Sequence, residues 1–535
     1  MNLSERRAGV VLHLTALPGP HGSGDLGEAA HRFVAWLAAA GQRLWQVLPM
    51  GPAGPGDSPY QSPSAFAGHP GLVGLEPLVA AGWLDAAALA APPHFDRGRI
   101  DFARVGPWRQ QRLHAAAAGF AARATAAERL AFAAWRDTQS AWLPDWALYA
   151  ALKDAHHSQP WWAWGEALAG RDPAALQVAR HQHAATMAAH EFIQWCFDQQ
   201  LAALRQAAHA QGVAIMGDLP IFVAHDSADV WAQPDLFLIG PDHQPTAVAG
   251  VPPDGYSLEG QRWGNPLYRW DRMAEDGYAW WLARVRRALT QADVFRIDHF
   301  RGFAGHWEIP ADCPTAAGGR WVSGPGAALF DAIEAAIPTS GGRLPIVAED
   351  LGQITPDVVA LRERYAFPGM RIVYEGLMQG DNHAFLPHHH VPNGLVYSST
   401  HDSDTVAGWW AGAPAAQRAF AAAYLGIDTA ASPAQAAQAV LRATFTSVAA
   451  LALAPLQDLL GLGSEHRMNR PGTAEGNWGW RFDWPMLGGG LAPDLGSNLA
   501  PYLAPNLALG PNLAPNLAPT LASSLAQLAR VSARA

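Results

Sequence analysis

The sequence is almost without lysine. Among 535 residues only Lys153 is one, so the 36 basic residues are otherwise arginine, set against 46 acidic residues for a net charge of −10. Nucleic acid is usually bound by a basic stripe that neutralises phosphates, and no such stripe is present. Two cysteines, Cys196 and Cys313, are too few for a disulfide framework. The opening residues, MNLSERRAGVV, carry charge but lack the apolar core of a leader. No uninterrupted apolar run approaches the ~20 residues that a membrane span needs. Charged residues make up only 15% of the chain and hydrophobic residues 50%, which excludes disorder throughout. The expectation is a soluble, cytoplasmic protein with neither nucleic acid nor membrane as a partner.

What the sequence has in excess is alanine and tryptophan. The alanine goes with the missing lysine as a compositional bias, so it carries little weight as evidence for helix. The 23 Trp residues need another reason, and core packing together with the lining of a sugar or base cleft supplies one. Eight short apolar runs recur along the chain: Val10 to Leu14, Arg43 to Met50, Val213 to Pro220, Ala292 to Phe300, Leu344 to Asp350, Met370 to Tyr374, Gly394 to Asp402 and Ala450 to Asp458. Helix-like stretches separate most of them, which predicts an α/β fold, a parallel (β/α)₈ barrel. The second and third runs lie about 160 residues apart, far more than one helix needs. Residues 75–205 therefore read as a mainly helical insertion within a catalytic barrel spanning 1–485. Residues 486–535, dominated by Leu-Ala-Pro repeats, read as an irregular or disordered extension, because recurrent proline forbids a continuous helix.

Two motifs are set aside. HGSGDLG (His21 to Gly27) matches GxGxxG, but PGP separates it from its strand and no acidic ribose ligand ends the next one; a tight turn accounts for it. Three adjacent histidines, His388 to His390, do not easily converge on one ion, and a solvated loop explains them.

The carboxylates are more informative. Asp218, Asp298, Glu349 and Asp402 close four of the apolar runs, and in a barrel the C-terminal ends of strands face the active site. Arg296 precedes Asp298 by two residues, on the same side of a strand, where its guanidinium favours an ionised carboxylate. Two facing carboxyls, one charged and one protonated, are what cleavage of a glycosidic bond requires.

Longer stretches carry a resemblance. LPGPHGSGDLG, RLWQVLPMGP, GDSPYQSPSAFAG, GDLPIFVAHDSADVWA, GQRWGNPLY, FRIDHFRGF, PIVAEDLG, STHDSDT and GLGSEHRMNRPGTAEGNWGWRF all lie between Leu12 and Phe482. Together they resemble the amylomaltases, the 4-α-glucanotransferases of the α-amylase clan. The resemblance implies that Asp298 is the nucleophile, Glu349 the general acid and base, and Asp402 a holder of sugar hydroxyls. It further implies that Arg296 orients Asp298, that His299 and His401 bond sugar hydroxyls, that Asp218 supports the same subsite, and that Tyr60 stacks on that sugar. The resemblance places Asp254 and Trp263 in a loop that closes over the acceptor side.

The implied substrates are maltodextrin, glucose and other α-1,4-glucans, with no cofactor and no metal. Three departures from the family pattern stand out. Pro55 occupies a position where an aromatic is common, which puts an accessory glucan surface in doubt. The closing loop reads PPDGYSLEGQRW, and Ser403 replaces a commoner Asn. A hydrolase using the same residues and a catalytically silent glucan-binding protein are the competing expectations. Oligomeric state is not legible.

Overall fold

The chain is described by a computed structural model over residues 2–253, 257–339, 342–488 and 521–534. Its strands, in chain order, are β1 (Arg7–Val11), β2 (Leu44–Gln46), β3 (Ala214–Pro220), β4 (Ala247–Val251), β5 (Gln261–Pro266) and β6 (Val294–Asp298). They continue with β7 (Gly305–Pro310), β8 (Arg320–Ser323), β9 (Ile346–Ala348), β10 (Gly369–Ile372), β11 (Gly394–Tyr397) and β12 (Leu451–Pro455). Eight of them pair in parallel in the order β10-β11-β12-β1-β2-β3-β6-β9. Between β9 and the start of β10, the Ala348 N–H donates to Pro368 O at 2.9 Å and brings the ring round on itself. These eight strands coincide with the eight apolar runs. They read as nearly continuous hydrophobic stretches because a parallel sheet is covered on both faces. Gly9 lets β1 approach β2, since a Cβ there would sit 2.2 Å from the Leu44 carbonyl oxygen.

The long stretch between β2 and β3 is helical, with Phe102–Arg123, Ala126–Thr138, Leu143–Ala155 and Ala184–Ala210 as its main members. The helix Phe102–Arg123 is capped by Asp101, and Ala126–Thr138 starts with a Thr125/Glu128 capping box. An aromatic cluster of Trp83, Phe120, Phe132, Phe192 and Trp195 seals this region. Phe120 and Phe192 belong to the same continuous core as Val10, Leu44 and Leu453 of the barrel strands. The expected boundary at 205 falls inside Ala184–Ala210, which packs on the helix Glu28–Ala39 and feeds β3 directly. A shared core makes this stretch an outgrowth of the barrel.

A second sheet was not expected. β5-β4-β7-β8 form an antiparallel layer beside the barrel's β3 to β9 quarter, and β5 carries Gln261 and Trp263. The extension also differs from expectation at its far end. Residues 489–520, which hold most of the Leu-Ala-Pro repeat, lie outside the described residues, but Leu521–Val531 is a helix. Leu525, Ala526 and Ala529 are buried, and the helix packs against Glu28–Ala39 and Pro433–Thr446. Beyond it Arg534 is fully buried and donates to the carbonyls of Phe445, Ser447, Ala449 and Ala450. The helix forms because the proline repeat stops at Pro519, leaving Leu521, Leu525 and Leu528 at helical spacing.

Candidate active site

β6 supplies two of the central side chains. Phe295 and Ile297 point into the hydrophobic core, so Arg296 and Asp298 point the other way, along one side of the strand. Register pairs Asp218 of β3 with Arg296 of β6. The Arg296 Nη1 donates to both Asp218 oxygens at 2.8 Å, and its Nη2 donates to Asp298 Oδ1 at 2.7 Å. One buried guanidinium thus neutralises two carboxylates. Arg284 fixes the segment after β3 by donating to the Ile221 carbonyl at 2.9 Å, where the Tyr268 hydroxyl also donates at 2.7 Å.

Glu349 leaves the adjacent strand at the same level. Ile297 pairs with Ala348, and the Glu349 N–H donates to Ile297 O at 3.0 Å. Its carboxyl accepts the His299 N–H at 2.7 Å and the Leu351 N–H at 2.8 Å. His299 adopts a left-handed backbone with φ 54°, an uncommon conformation for a non-glycine residue that turns its N–H toward Glu349. Burial, with the nearby Asp298 charge, raises the Glu349 carboxyl to about 7 against the opposing pull of Arg296 and the two backbone donors. Burial pushes Asp298 up as well, and Arg296 is the chief influence holding it down.

Asp402 closes the site from the loop after β11 and is the most exposed of the three. Its Oδ1 accepts from Asn469 Nδ2 at 2.7 Å, and its Oδ2 lies 3.3 Å from His401 Nε2. Tyr60 donates its hydroxyl to Asp218 Oδ2 at 2.8 Å and lies 2.8 Å from His401 Nε2. The phenol has one proton to give, so His401 is the donor in the second bond. The Tyr60 ring lies parallel to His401 at 5.3 Å.

Asp298, His299, Glu349, Asp402, Tyr60 and Trp263 line one cleft of about 300 Å³. The Trp263 ring stands edge-on to His299 at 4.8 Å, and the buried His299 Nε2 has no hydrogen-bond partner among the described residues. Beyond Asp402 a second hollow of about 370 Å³ continues between Tyr374, Glu375, Thr400 and Arg467.

Of the residues singled out in the sequence, the structure brings all but one together here; Asp254 lies outside the described residues. Asn469 and Trp478, which also line the cleft, were not singled out. Both lie in GLGSEHRMNRPGTAEGNWGWRF, so that motif was the available signal. His388, His389 and His390 turn to different partners, namely Tyr424, Asn382, and Ser447 with the Phe385 carbonyl. In the GxGxxG turn, Asp25 is taken up by the Gly27 N–H and by Arg109, each at 2.9 Å.

A family model described as 4-alpha-glucanotransferase matches residues 12–486. The chain is 47% identical over 497 residues to the 4-alpha-glucanotransferase of Thermus thermophilus, an alignment covering 92% of this chain and 97% of that one. It is 42% identical over 495 residues to the enzyme of the same name from Synechocystis, again covering 92% and 97%. Among solved structures, amylomaltase from Streptococcus agalactiae in complex with acarbose superposes with a TM-score of 0.88 at 32% identity, covering 99% of this chain and all of that one. Sequence and fold agree along the barrel and through the strand ends that carry the cleft, and the chain therefore belongs to the 4-alpha-glucanotransferase family.

Proposed function

We propose that the chain moves segments of α-1,4-glucan from a donor to the 4-hydroxyl of an acceptor glucose or maltodextrin by a retaining double displacement. Asp298 attacks the anomeric carbon and forms a glycosyl ester, while Glu349 gives its proton to the departing oxygen. Glu349 then takes the proton of the incoming 4-hydroxyl as the ester breaks, which restores both carboxyls. Asp402, His299 and His401 hold hydroxyls of the sugar beside the cleaved bond, Tyr60 packs against that sugar, and Arg296 and Asp218 keep Asp298 aimed. Trp263 and Asp254 belong to the acceptor side.

The observation that carries this reading is the unequal treatment of two carboxyls on adjacent strands. Asp298 has a guanidinium 2.7 Å away. Glu349 has no cation in direct contact among its described partners and is raised to about 7. Burial raises both carboxyls, but only Asp298 has a guanidinium in direct contact to favour its charged form, and that difference assigns Asp298 as the nucleophile and Glu349 as the acid.

The two free cysteines support a cytoplasmic setting as part of the proposal. No helix among the described residues is long and apolar enough to cross a membrane.

Incubation with pure maltotriose tests the reading. Longer maltodextrins appearing alongside glucose establish transfer, whereas glucose and maltose alone make the protein a hydrolase with the same site. Asp298→Asn is expected to lower turnover by about 10⁴-fold or more while glucan still binds. Retained turnover in that variant would remove Asp298 from the chemistry.

A further inference from the structure

Three helices between β2 and β3 converge at a point that the cleft does not use. His114 of Phe102–Arg123, Asp154 of Leu143–Ala155 and His190 of Ala184–Ala210 each present one ligand atom, and these atoms lie within 4.8 Å of one another. His190 Nε2 is 2.8 Å from Asp154 Oδ2, and Gln110 Nε2 donates to Asp154 Oδ1 at 3.2 Å. An ion pair between packed helices accounts for His190 and Asp154. It does not account for His114. That ring stands edge-on to His190, with centroids 5.4 Å apart at 87°, and its buried Nε2 has no hydrogen-bond partner among the described residues. A buried polar atom without a partner calls for an explanation, and an ion is one of the standard ones.

We propose that His114, Asp154 and His190 form a binding site for a divalent transition-metal ion, best probed with zinc. Two imidazoles and one carboxylate are a donor set that suits Zn²⁺, with a water able to serve as the fourth ligand. Zinc bonds of about 2.0–2.2 Å place tetrahedral ligand atoms roughly 3.3 Å apart, so His190 and Asp154, now 2.8 Å apart, have to part slightly and His114 has to move in by no more than about 1.5 Å. Asp154 is exposed and gives the ion a way in, while His190 is buried and fixes the inner end of the site. These helices carry none of the residues that line the catalytic cleft. The ion therefore acts as a cross-link among three helices, apart from the chemistry of transfer.

The test uses the full chain, stripped with a chelator and titrated with Zn²⁺ against a chromophoric competitor, with thermal unfolding followed in parallel. One zinc bound at micromolar or lower concentration, with a raised Tm, is expected. His114→Ala removes no existing hydrogen bond and keeps the fold. It should weaken zinc binding at least about tenfold, abolish the rise in Tm and leave glucan transfer without zinc unchanged. Asp154→Asn should do the same. The double variant His388→Ala/His389→Ala should bind zinc as the unaltered protein does. Zinc binding unchanged by His114→Ala, lost in the His388/His389 variant, or absent altogether would each overturn the assignment and leave an ordinary His–Asp pair.

Discussion

In the proposed mechanism Glu349 gives the proton in the first half of the reaction, so its environment sets how the rate varies with pH. Its carboxyl lies at about 7, above the usual glutamate value, because burial and Asp298 disfavour its charge. On that mechanism the protonated form is the active one in the free enzyme. The expected profile of kcat/KM with maltotriose is therefore level until about a unit below pH 7, bends near 7 and falls about tenfold per unit above it. A profile level to pH 9 would mean that another group supplies the proton. Arg296 offers a second test at the same scale, because it neutralises Asp218 and Asp298 from a buried position. Arg296→Met leaves two carboxylates without their cation, a change expected to cost about 3–5 kcal/mol at pH 8. Losing the guanidinium raises the Asp298 carboxyl further in the folded protein, which then binds more protons than the unfolded chain as pH falls. The deficit in stability should accordingly shrink from pH 8 to pH 5, and urea unfolding at the two values measures it. An equal deficit at both would point to lost packing instead.

Among the elements, the hairpin of β4 and β5 borders the cleft through Gln261 and Trp263, and its part in excluding water from the proposed covalent intermediate can be tested. Leu258, in the connection between them, is 90% exposed, and the strand that follows brings Gln261 and Trp263 into the cleft. An apolar side chain left so open, three residues before one that lines the cleft, would gain by lying on a sugar face and keeping water out. Leu258→Ser is expected to lower the ratio of transfer to hydrolysis about three- to tenfold with little change in total turnover. Product analysis after maltotriose digestion reads this directly, and an unchanged ratio would free Leu258 of any part in excluding water.

This hairpin also shows where the sequence ceases to be readable. The barrel strands stand out because both faces are covered, and their polar terminal residues mark the site. β4, β5, β7 and β8 do not, since QRWGNP and RWVS have no clear alternation and the pairing of β4 with β7, which joins the two hairpins into one sheet, links Ala247–Gly250 to Trp307–Pro310 far along the chain. The helix Leu521–Val531 was hidden for another reason, the proline repeat before it. At the site itself, Arg296 and Asp298 were legible from their spacing within one strand. That the Tyr60 hydroxyl would rest on Asp218, 158 residues further on, is a property of the closed barrel, and so is the grip of Asn469 on Asp402.

At the scale of the whole molecule, the far end of the chain returns to the strands with which it began. Besides its bonds to residues 445–450, Arg534 donates to the Arg7 carbonyl at 3.4 Å, and the Ala8 N–H donates to the Arg534 carbonyl at 3.4 Å. Deleting residues 521–535 uncovers the faces of Glu28–Ala39 and Pro433–Thr446 on which the helix packs and leaves those carbonyls without their donor. The expected cost is about 2–4 kcal/mol of stability, seen as a lower midpoint in denaturant. Turnover of maltotriose at 25 °C should not change, because the cleft lies at the opposite ends of the strands. Loss of activity in a folded truncated protein would instead connect this helix to the site.

The meeting of Arg534 with Arg7 and Ala8 also bears on how the protein can be handled. The beginning of β1 and the end of the last helix share the floor of the barrel, beneath the strands and away from the mouth that glucan must enter. An anchor attached at either end would leave that mouth facing outward, so the enzyme can be tethered to a support by its tail and still thread a long polysaccharide.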